Sequence, residues 1–179
     1  MKALATALLL TWSFATTISL AASDKTSLDE HFDPIRPLLG KTWRGPFPNS
    51  TAEKPMIDVS RWERALNGKA VRILHSINNG EYGGETLIVW DTAKKSLVYF
   101  YFTTAGFRTT GTMAFKDGKI TSHETVAGSA EGVTEVRATS EIRADGTLHV
   151  KSEYFKNGQW TPGHEISYRE DAKAEVLFK

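Results

Sequence analysis

The feature that most limits what this chain can become is a recurring turn. Runs of β-branched and aromatic residues are parted by Asn67-Gly68, Asn79-Gly80, the stretch 91–95, Lys116-Asp117-Gly118-Lys119, the stretch 128–132, Asp145-Gly146 and Lys156-Asn157-Gly158. Asn-Gly and Asp-Gly tolerate the positive φ angles of tight hairpins, so each marks a place where two strands run antiparallel. Between the turns, strands are predicted at 41–47, 56–66, 69–78, 82–90, 96–103, 107–115, 119–127, 132–143, 147–155 and 163–170. A meander of about ten strands removes its exposed edges most simply by closing on itself. A two-sheet sandwich needs long crossovers, and the connection here that looks long is 48–55, from Pro48 to Pro55. The expected fold is all-β, an antiparallel up-and-down barrel of about ten strands with one short N-terminal helix.

The first residues fall outside that pattern. MKALATALLLTWSFATTISLAAS carries one Lys, an apolar run from Ala3 to Ala15 and a small-residue end. That is the arrangement of a secretory signal peptide, and the run is shorter than the roughly 20 residues of a membrane span. Residues 1–21 are expected to be removed, leaving 22–179 as a single domain in the periplasm or secreted, with no stable membrane insertion. The chain has no cysteine, which excludes both a disulfide framework and a lipidated cysteine at the cleavage site. Loss of Lys2 takes the formal net charge from +1 to zero, so nothing draws the mature chain toward nucleic acid or an anionic membrane. Oligomeric state is not legible from these features.

Ahead of the first strand, Ser27 and Glu30 have the spacing of a helix-capping pair, and Leu28, Phe32 and Ile35 recur at helical intervals until Pro34 and Pro37 intervene. A helix this short cannot stand alone, but it can close one end of a barrel. Trp43, flanked by Gly40 and Gly45, is expected to pack on it there. The stretch IRPLLGKTWRG, with Gly40, Trp43 and Gly45, resembles the opening of the calycin-like barrels, in particular the nitrobindin and fatty-acid-binding-protein-like group, and is similar to small exported bacterial proteins with that fold. Two residues separate Gly40 from Trp43 where the lipocalin form has one. The resemblance implies a barrel with an interior able to hold a ligand, and in the nitrobindin case haem bound by a late histidine.

Chemical signatures are absent. The chain has no Gly-x-Ser-x-Gly elbow, no phosphate-binding glycine loop and no His-Glu-x-x-His pair. Glu131, Glu135 and Glu141 are read as outward, solvated residues rather than a glycosidase pair. Asn49-Ser50-Thr51 is a glycosylation sequon, of use only in a host that glycosylates exported proteins. No short histidine or carboxylate spacing suggests a metal site. No catalytic residue and no metal ligand is assigned.

Strand alternation then selects the residues that face the interior. His75 shares a face with Val71, Ile73 and Ile77, and His164 with Ile166 and Tyr168, so both histidines are expected inside; His149 is expected outside and His123 is undecided. Trp62 with Arg64, Tyr99 with Tyr101, and Arg108 complete a candidate lining, with arginine suited to a carboxylate or phosphate head group. The loop 48–55 is expected to border the mouth above Trp62, Arg64, Tyr99, Tyr101 and Arg108. The leading function is an exported barrel binding a small apolar or amphipathic molecule, with no resident cofactor. The alternatives are a haem-binding barrel using His164, and a barrel isomerase or hydratase using an inward His or Tyr.

Overall fold

The computed structural model describes residues 27–179. Ten strands follow in chain order: β1 (Thr42–Pro46), β2 (Ile57–Ala65), β3 (Ala70–Ile77), β4 (Tyr82–Asp91), β5 (Ser96–Thr103), β6 (Arg108–Lys116), β7 (Lys119–Ala127), β8 (Val133–Ile142), β9 (Leu148–Lys156) and β10 (Gln159–Glu170). Each pairs antiparallel with its neighbours in sequence, and β10 closes onto β1 to form a barrel. Among the described residues, no sheet edge is left for another chain to extend.

The turn dipeptides act as the sequence predicts. Asn157 and Gly158 take φ of 54° and 78°, a pair of left-handed residues that turns β9 directly into β10. That tight turn starts β10 at Gln159 rather than at 163. The price is an irregularity further along, where the register between β10 and β9 shifts between Pro162 and Glu165. Pro162 has no N–H to give, and the Ser152 hydroxyl fills the gap by accepting from the His164 N–H at 3.0 Å and donating to the His164 carbonyl at 3.1 Å.

The N-terminal helix differs from expectation. It is a 3-10 helix over Glu30–Leu38, and Pro34 and Pro37 lie inside it instead of ending it. Three residues per turn puts Phe32, Ile35 and Leu38 on one line, and all three are buried. The cap is Asp29, not the pair Ser27 and Glu30. Its carboxylate accepts from the His31 N–H and from Lys69 Nζ at 2.9 Å, and these bonds, led by that from Lys69, hold the carboxyl well below the usual range. His31 stacks on Trp90 with ring centroids 3.6 Å apart, which ties the helix to the end of β4.

This helix closes the barrel. Phe32, Ile35 and Leu38 belong to one apolar cluster with Trp43, Trp62, Val71, Ile88, Leu97, Leu148 and Ile166, all drawn from the helix-side ends of their strands. Trp43 is 2% exposed, as its floor-closing role requires. Gly45 allows the neighbouring strand in close, since a Cβ there would lie 2.7 Å from Ile166. One half of the barrel is therefore a filled core.

Candidate functional site

The other half is lined differently. Cross-strand register carries one inward face around the barrel, from Asp58 and Ser60 to His75, to Gly84 and Thr86, to Tyr101, then to Thr109 and Gly111, and on to Glu124. The same bookkeeping puts Tyr154 beside Val136 and Thr161 on the inner face. All five tyrosines of the chain, Tyr82, Tyr99, Tyr101, Tyr154 and Tyr168, face inward. Gly84 makes this possible on β4, because a Cβ there would collide with the Tyr101 ring.

Five of these side chains form a continuous hydrogen-bonded chain. Tyr168 donates to Asp58 Oδ2 at 2.7 Å, Asp58 Oδ1 meets His75 Nδ1 at 3.0 Å, His75 Nε2 meets the Tyr101 hydroxyl at 2.7 Å, and that hydroxyl meets Tyr82 at 2.8 Å. An ionised carboxylate only accepts, so His75 carries its proton on Nδ1 and its Nε2 accepts from Tyr101, whose oxygen accepts from Tyr82. A proton on Nε2 reverses the direction of both tyrosine bonds. The chain can thus present either an acceptor or a donor at Tyr82, its outermost member. Asp58 is 5% exposed, a carboxylate buried with both oxygens occupied.

Two further groups face the same space. The Tyr154 hydroxyl lies 2.6 Å from His164 Nδ1, while Nε2 of His164 has no hydrogen-bond partner among the described residues. Burial pushes the His164 imidazole below 6.5, with His75 adding to the effect and Asp58 opposing it. Glu124 accepts from the Thr109 hydroxyl, yet burial outweighs that bond and pushes its carboxyl upward. Burial also raises Tyr82 and Tyr101, and the charges of Asp58 and Glu124 raise both further.

The expected site residues separate into groups. His75, Tyr101, His164 and Tyr168 do come together, and Tyr99 lies beside Glu124. Trp62 faces inward but belongs to the filled core. Arg64 lies at the helix end, where its guanidinium bonds Ser27, so neither it nor Trp62 sits beneath the 48–55 loop. That loop joins β1 to β2 at the opposite, polar end, where Phe47 meets His164 edge-on with centroids 5.9 Å apart. Arg108 is corrected outright. It pairs with outward Phe102 across β5 and β6 and is exposed, because alternation groups it with Thr110 and Thr112 on the outer face, not with Thr109 and Gly111.

The other histidines and acids resolve as surface pairs. His123 faces out and bonds Glu135 at 2.7 Å, His149 bonds Glu165 at 2.8 Å, and Glu141 pairs with Lys119. A shallow groove of about 380 Å³ between Thr112, His123, Arg137 and Lys151 lies on this outer face, away from the interior chain. Among the described residues no group of three or more His, Asp or Glu side chains is placed to hold a metal ion, and no helix is long and apolar enough to cross a membrane. Asp58, Tyr82, Glu124 and Tyr154 are the interior polar residues that sequence reasoning missed. The signal for Glu124 was its alternation with Ile120, Ser122 and Val126.

Comparison with known proteins adds fold and nothing chemical. No protein-family model matches the chain, and no curated protein matches it significantly by sequence. Among solved structures it is similar to Rv2717c from M. tuberculosis, with a TM-score of 0.59 over 81% of this chain and 99% of that one, at 13% identity. At that identity the likeness supports a shared barrel only.

Proposed function

We propose that this barrel binds a small amphipathic molecule in its interior, the apolar part toward the filled core and the polar end against Tyr82, Tyr101 and His164. The observation that carries the reading is the chain from Tyr168 to Tyr82. A barrel that needed only stability would fill this half with apolar side chains, as it fills the helix half; ordered polar groups beside partly exposed aromatic rings are the composition of a ligand pocket. The protein is also proposed to be exported and to stand among the calycin-like barrels. The first point rests on residues 1–21, which lie outside the described residues, and the second on Gly40, Trp43, Gly45 and the strand order. Sequencing the N-terminus of protein from the native host tests export: Ala22 is expected, and an intact Met1 contradicts it.

The binding test uses the neutral fluorophore N-phenyl-1-naphthylamine. Saturable binding at one site is expected, and it is lost in Ala138→Trp, which fills the interior between Ser122 and Ser152. Equal binding by a folded Ala138→Trp variant places the probe on the outer surface and overturns the reading.

A haem-binding barrel is the second reading, favoured by His164 Nε2. An imidazole fixed through Nδ1 and open at Nε2 could hold a haem iron, and haem would supply ligand binding or redox chemistry there. The rest of the lining fits less well, since the carboxylates of Asp58 and Glu124 would face an anionic macrocycle. Haem titration of the wild type and His164→Ala separates the readings: no stoichiometric absorption band is expected from either.

A further inference from the structure

Resting on the interior-binding reading, we infer that the molecule held in the barrel carries a positively charged head group, a protonated amine rather than a carboxylate or phosphate. The sign of the lining supports this. Asp58 and Glu124 are the acidic members of the polar half, on β2 and β7, and both act on the hydroxyls of Tyr82 and Tyr101. Among the described residues, Lys156 at the rim is the one strand lysine or arginine on an inner-face position at that end of the barrel. Arg108 points outward, Arg64 is at the closed end bonded to Ser27, and Lys156 stands on the last residue of β9 at the rim. The groups that titrate there besides the two carboxylates are His75, His164 and the tyrosines.

The aromatic content agrees with the charge. Tyr82, Tyr101 and Tyr154 present π faces and hydroxyl oxygens, which attract an ammonium group while leaving an alkyl or aryl body free to reach the apolar core. An anionic head would meet two carboxylates and the same ring faces, with Lys156 at the rim as the nearest strand cation on the inner face to offset them. An inorganic cation is a poorer match, because the described residues bring no third carboxylate or imidazole together with these as a ligand set. Glu124 is the group with most to gain. Its carboxyl is pushed upward by burial, and a cation brought beside it would favour the ionised form that burial disfavours.

Displacement of N-phenyl-1-naphthylamine by octylammonium, octanol and octanoate at pH 7 tests the inference with one tail and three heads. Octylammonium is expected to bind about tenfold or more tightly than octanoate, with octanol between them. In Glu124→Gln, checked for folding by circular dichroism, the ratio of octylammonium to octanoate affinity is expected to fall severalfold while octanol is unchanged. Arg108→Ala is expected to alter none of the three. Octanoate binding as tightly as octylammonium, or failure of all three to displace a bound probe, overturns the inference and leaves interior binding standing. If the probe itself does not bind, the interior-binding reading and the inference fall together.

Discussion

The Tyr168 hydroxyl donates to Asp58 Oδ2 at 2.7 Å across 110 residues of sequence, joining the last strand to the second inside the barrel. This bond lies where the two halves of the interior meet. Tyr168 packs in the apolar cluster, and Asp58 passes the contact on to His75 and the polar chain. It ties β10 to β2 across the interior and leaves Asp58 Oδ1 to meet His75 Nδ1.

Tyr168→Phe removes that donor and leaves half of a buried carboxylate unpaired. The expected cost is about 1–3 kcal/mol in denaturant unfolding, since an unsatisfied buried acceptor loses more than the bond contributed. A change below about 0.5 kcal/mol would mean that water replaces the hydroxyl freely and that the site is less closed at this level than described.

Glu124 has the opposite sign. Its native carboxyl is raised above 4.5, so the stability linked to it is fully present below that value and is lost as the pH rises through the native one. Glu124→Gln is therefore expected to stabilise the ligand-free protein at pH 7 and to make little difference at pH 4. Thermal unfolding at the two pH values checks this, and destabilisation of the variant at pH 7 contradicts it.

His164 is held neutral by burial, with its native value below 6.5. Stability is present above 6.5 and declines as the pH falls from there toward the lowered native value, because the unfolded chain then binds the extra proton. His164→Gln should flatten that part of the stability curve. An unchanged slope between pH 6.5 and 5 would assign it to other groups.

Trp43→Ala is expected to cost about 3–5 kcal/mol, the loss for a large buried aromatic side chain that leaves a cavity behind. The indole is 2% exposed in the apolar cluster with the helix residues and Ile166, its Nε1 has no hydrogen-bond partner, and Lys41 Nζ lies 5.6 Å from the ring centroid, so the contribution is packing with that one cation–π contact. Trp43→Phe should recover most of it.

The contrast between Trp43 and Arg108 shows how legible each level was. Strand number, strand order and floor followed from local signals, the Asn-Gly and Asp-Gly turns and a glycine-flanked tryptophan, which act over a few residues. The helix type was hidden because Phe32 and Ile35 fit a period of three or of 3.6 equally well, and Leu38 at a further three residues is what fixes the former. Arg108 was misplaced because an alternating Thr110 and Thr112 carry no hydrophobic contrast, so parity on β6 could be read only from Met113 and Phe115. The chain through Asp58, His75, Tyr101 and Tyr82 joins four strands, and no pattern within one strand announces hydrogen bonds that link four.

The most direct measurement of the central claim is an NMR titration of protein labelled with carbon-13 at the tyrosine ring carbon bearing the hydroxyl, using octylammonium. All five tyrosines face inward, and Tyr82, Tyr101, Tyr154 and Tyr168 line none of the outer grooves, whereas Tyr99 also borders one beside Thr110 and His123, so the first four resonances report the interior. Saturable shifts at Tyr82, Tyr101 and Tyr154, with Tyr168 less affected, are the predicted result. Saturable binding that leaves Tyr82, Tyr101, Tyr154 and Tyr168 unmoved would place the ligand on the outer face and contradict the account.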